Sequence, residues 1–180
     1  MNAKRVSRAH SFSPHAQKRG QIKLSFGMIF SIILIVLFIS FAFYAIGKFF
    51  DVQNSVQVGK FSNDLQNDVD KLWKGSQGSQ EQEYLLPTKI KYVCFVDYGI
   101  NDGARGANRD FYSEYERIYE NENMFFYPFG SSEGSDFVEI KHLSIEKITE
   151  TNNPLCFENL KGKVALTIKK DFGEALVTIQ

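Results

Sequence analysis

Leu24 to Ile46, LSFGMIFSIILIVLFISFAFYAI, is a run of 23 residues without a charge, apolar on every side of a helix. At 1.5 Å per residue it would extend about 35 Å, more than the roughly 30 Å hydrocarbon core of a bilayer. The run therefore predicts a membrane-spanning helix with some tilt, placed with its flanks over residues 21–48. Past it the apolar residues become periodic: Phe49, Val52, Val56, Phe61, Leu65, Val69 and Leu72 recur at steps of three, four or five, with Asn, Gln, Asp and Lys between. This pattern predicts an amphipathic extension of the same helix over residues 49–74, loosened near Gly59 and packed on a globular head, with Trp73 stapling it there.

Residues 75–80, GSQGSQ, form a polar breaker, and 75–83 reads as a linker. Beyond it the period shifts toward two. Lys89 to Asp97, KIKYVCFVD, sets Ile90, Tyr92, Cys94 and Val96 on one face and Val93 and Phe95 on the other. Apolar on both faces, it predicts a central strand. Residues 101–110 read as a loop, 111–120 as a short helix, and 124–129 and 137–145 as strands. Val164, Leu166 and Ile168 alternate with polar residues before Asp171-Phe172-Gly173-Glu174 turns the chain into residues 176–179, predicting a C-terminal hairpin. The fold class is α+β: one long helix followed by a mainly antiparallel sheet of four to six strands, with residues 84–180 as the outer domain.

Charge adds an orientation. The 180 residues hold 21 basic and 21 acidic side chains, yet Met1 to Phe50 carries seven basic residues and no acid, leaving the remainder at a net −7. The positive-inside bias places residues 1–23 in the cytoplasm and the acidic remainder outside. A cleaved secretory signal has an apolar core of about 7 to 15 residues ending at small residues. Here the core is longer and is followed by Phe49 and Phe50, so the helix is expected to stay attached as a single-pass anchor in the cell membrane.

Immediately before the apolar run stands Lys18-Arg19-Gly20-Gln21-Ile22. This junction resembles the class III signal peptide of archaeal type IV pilin-like and archaellin-like proteins. The resemblance implies that a prepilin peptidase cuts at the cytoplasmic face between Gly20 and Gln21, removing residues 1–20 as a leader and leaving the helix on the mature subunit. The Lys18 and Arg19 pair suits the anionic inner face of the membrane. Ser25 stands where many members of that family carry Glu, and Lys23 adds a charge at the third mature position. Uncleaved, the same segment is a signal anchor presenting an extracytoplasmic binding or accessory domain, and both readings stand. Gly27 and Ser31 form a small-xxx-small pair that lets two helices approach closely.

Candidate chemistry is sparse. Cys94 and Cys156 are the only cysteines; an even pair in an oxidising compartment is a disulfide candidate, worth about 4 kcal/mol on the chain-entropy view, with two separate buried thiols as the alternative. No further Cys or nearby His completes a tetrahedral metal set. His10 and His15 lie in the tail, and His142, alone among strand residues, reads as structural. Asp97, Asn101, Asp102, Asn108 and Asp110 do not follow the calcium-loop spacing and read as turn formers, and Gly103 to Gly106 lacks the residues of a phosphate cradle. No enzyme, metal or cofactor is expected. The expected partners are membrane lipid, copies of the chain or other pilin-like subunits, and a prepilin peptidase. Nucleic acid is disfavoured by the negative outer domain.

Overall fold

The computed structural model describes residues 25–99, 103–115 and 121–180. The Lys18-Arg19-Gly20-Gln21 junction, Asn101, Asp102 and residues 116–120 of the expected short helix lie outside the described residues. The chain divides into two units, Met1–Phe43 and Tyr44–Gln180, and helix α1 (Phe26–Lys74) contributes to both.

In the first unit every described side chain is exposed, and α1 is long and apolar enough here to cross a membrane. Its two hydroxyls are satisfied within the helix, Ser31 Oγ donating to Gly27 O and Ser40 Oγ to Val36 O, each at 2.8 Å. Bonding back to the carbonyl one turn earlier is how a hydroxyl survives on an apolar helix.

The second unit is the α+β head. Its strands are β1 (Gly78–Leu85), β2 (Tyr92–Phe95), β3 (Met124–Tyr127), β4 (Phe137–Val138), β5 (Leu155–Glu158), β6 (Lys163–Lys170) and β7 (Thr178–Ile179), with short helices α2 (Arg109–Tyr115) and α3 (Ile145–Ile148) between them. They form two antiparallel sheets, β1-β6-β7 and β4-β3-β2-β5. The principal core joins Val58, Phe61, Leu65 and Val69 of α1 to Val164, Leu166 and Ile168 of β6 and to Val93, Phe95, Met124 and Phe126. Phe61 sits at its centre, with edge-to-face contacts to Tyr84 and Phe126 at ring separations of 5.4 and 5.7 Å.

β2 is central as expected, flanked by β3 and β5 and covered on both faces. Val93 and Phe95 enter the principal core, while Cys94 joins a second cluster with Val96, Tyr112 and Phe125 against which Tyr92 packs. Ile90 departs from the expected face: its N–H bonds Pro87 O at 3.1 Å in a turn, and its side chain enters the principal core. β3 stops at Tyr127 because Pro128 has no N–H to continue a ladder. Of the expected strand over 137–145 only β4 forms, and α3 begins at Ile145. The C-terminal hairpin is present, with Ile168 opposite Ile179.

Two expectations need correction. Residues 78–83, read as linker, belong to β1, which pairs with β6 from Gly78 opposite Lys170 to Leu85 opposite Lys163. The breaker composition hid a strand whose only ladder partner among the described residues is β6. At such an edge Glu81 and Glu83 face solvent, where charge is tolerated and discourages further pairing. The α1 stripe is also two stripes. Phe61, Leu65 and Val69 are buried, but Phe49, Val52 and Val56 are 66%, 63% and 66% exposed. The five-residue step from Val56 to Phe61 rotates the position by about 140° at 3.6 residues per turn. Val58, buried, takes over where Val56 leaves off.

Candidate assembly surface

The predicted site residues fall in three places. Lys18, Arg19, Gly20 and Gln21 lie outside the described residues. Gly27 and Ser31 occupy successive turns of α1 in the first unit, exposed, with only Ser25 Oγ within 4 Å of a Cβ built at Gly27. Cys94 and Cys156 stand directly opposite each other across β2 and β5, with Cα atoms 4.0 Å apart, and are joined in a disulfide.

In the second unit α1 leaves Phe49, Phe50, Val52 and Val56 exposed, and Phe49, Val52 and Val56, three and four residues apart, share one side of the helix. Lys48 and Asp51 flank this stripe as an ion pair at 3.7 Å. The α1 residues buried in the head begin at Val58.

The far end of α1 is clasped to the head. Trp73 stacks on His142 with ring centroids 3.7 Å apart and planes within 3°. His142 Nδ1 donates to Asp70 Oδ1 at 2.9 Å, and Gln66 Nε2 donates to the same oxygen at 2.8 Å. The hydrogen bond from His142 holds the Asp70 carboxyl below the usual carboxylate range, helped by Gln66 and opposed by partial burial. His142 takes a positive φ of 66°, which turns its ring back onto the helix. Gln66 also accepts from Lys141 N at 2.8 Å. Lys170, buried at the end of β6, donates to Trp73 O at 2.6 Å and Gly75 O at 2.9 Å. A cation on the last carbonyls of a helix satisfies groups that have no partner within it and opposes its dipole. On the opposite flank Tyr84 donates to Asp68 at 2.9 Å; burial, then that carboxylate, pushes its phenol well above the usual range. The sequence reading of Trp73 as a staple agrees with this geometry; its partner His142 was legible only as a lone histidine, because the pairing spans 69 positions.

Elsewhere the chemistry is structural. Asp97 Oδ1 accepts from Gly99 N at 2.8 Å, and Asp97's backbone is held by the Asn153 side chain at 3.1 and 2.8 Å. Asp110 is exposed beside Arg109. Among the described residues no group of three His, Cys, Asp or Glu is placed to hold a metal. An open groove of about 550 Å³ runs between α3, β5 and β7, lined by Ile148, Leu155, Phe157 and Ile179 with Lys147, Glu150 and Asp171 at its rim. Sequence reasoning did not single out Leu85, Phe129, Leu160 or Phe172, all more than half exposed; each sits at a strand end or turn, where alternation gives no signal. Comparison with protein-family models, curated proteins and solved structures finds no match for this chain.

Proposed function

We propose that the protein is a pilin-like, membrane-anchored surface subunit whose work is done by its long helix, with the α+β head displayed outside the cell. The observation that carries this reading is the exposure of Phe49, Phe50, Val52 and Val56, which extends apolar surface past the uncharged run to the point where the head begins to cover α1. Burial of such a stripe against the helix of a second copy or of another pilin-like subunit removes it from water and contributes on the order of 1.5 to 3 kcal/mol per large side chain. The charge asymmetry supports a cytoplasmic tail, and the Cys94–Cys156 disulfide suits an oxidising exterior.

N-terminal sequencing of the protein recovered from native membranes tests the processing step. A start at Gln21 is expected, with filaments visible in sheared surface material by electron microscopy. An intact Met1 and no filament would instead leave the second reading, a signal-anchored single-pass protein presenting a binding or accessory domain.

A further inference from the structure

We draw no further inference here: the strongest candidate, the open groove between α3, β5 and β7 lined by Ile148, Leu155, Phe157 and Ile179, carries nothing, because its rim charges Lys147 and Asp171 are closed in ion pairs with Glu174 and Lys169 and nothing in the structure shows what covers it.

Discussion

At the scale of single residues, much of the head's loop structure hangs on side-chain amides that imitate a neighbouring strand. Asn123 donates to Ile140 O and accepts from Ile140 N, both at 2.8 Å. Asn153 does the same for Asp97, and Asn159 donates to Pro87 O and Ile90 O. Each fixes backbone that has no ladder of its own, and buried backbone groups need such partners. The helix clasp adds charged versions of this device. Lys170→Met should cost about 2 kcal/mol, because two helix-end carbonyls lose a charged donor; chemical denaturation of the head measures it. Asp70 sets a pH dependence. Its folded carboxyl titrates below its ordinary value of 3.8, so its contribution to stability is fully present above that pH and is lost as pH falls through the folded value. The stability difference between the native protein and Asp70→Asn should therefore shrink as pH falls below 3.8, measured by denaturant midpoints across an acid series.

At the scale of elements, α1 shows both what the pattern revealed and what it concealed. The uncharged run, the long helix and its burial along Phe61, Leu65 and Val69 follow directly from composition and a 3.6-residue period. The assignment of Phe49, Val52 and Val56 to the same face did not hold, since one five-residue step is enough to carry a stripe to the other side. β1 was illegible for a different reason. An edge strand needs no hydrophobic alternation when an apolar neighbour, here β6, supplies the ladder and the core side chains. The two stripes make separate predictions. Phe61→Ala should destabilise the head by about 4 kcal/mol, read by thermal or chemical unfolding. Val52→Asp with Val56→Asp should change head stability by less than about 0.5 kcal/mol, and on the proposed pilin-like reading should abolish assembly, read by electron microscopy of surface material.

At the scale of the whole molecule, the α+β class and the C-terminal hairpin were readable from period and turn chemistry, while the two cysteines left a disulfide and two separate thiols both open until their strands were seen to pair. The division into two sheets was not readable, because β4 and β7 are two-residue strands whose existence depends on neighbours distant in sequence. The candidate site was legible in part. Gly27 and Ser31 lie on α1, whereas the stacking of Trp73 on His142 joins residues distant in sequence and has no local signature. The disulfide ties β2 to β5 across a long loop, so reduction should lower the stability of the head by about 4 kcal/mol without altering the helix signal in circular dichroism of the folded state.

The hold on α1 is distributed from Val58 to Val69 along the core and finishes at the clasp around Trp73, His142 and Lys170, at the end of the helix farthest from Tyr44. A pull applied at Tyr44 along the helix axis therefore loads these contacts together, in shear, instead of peeling them away one after another. Resistance to such a pull is thus the sum of the core and clasp contacts, and no single one of them sets it.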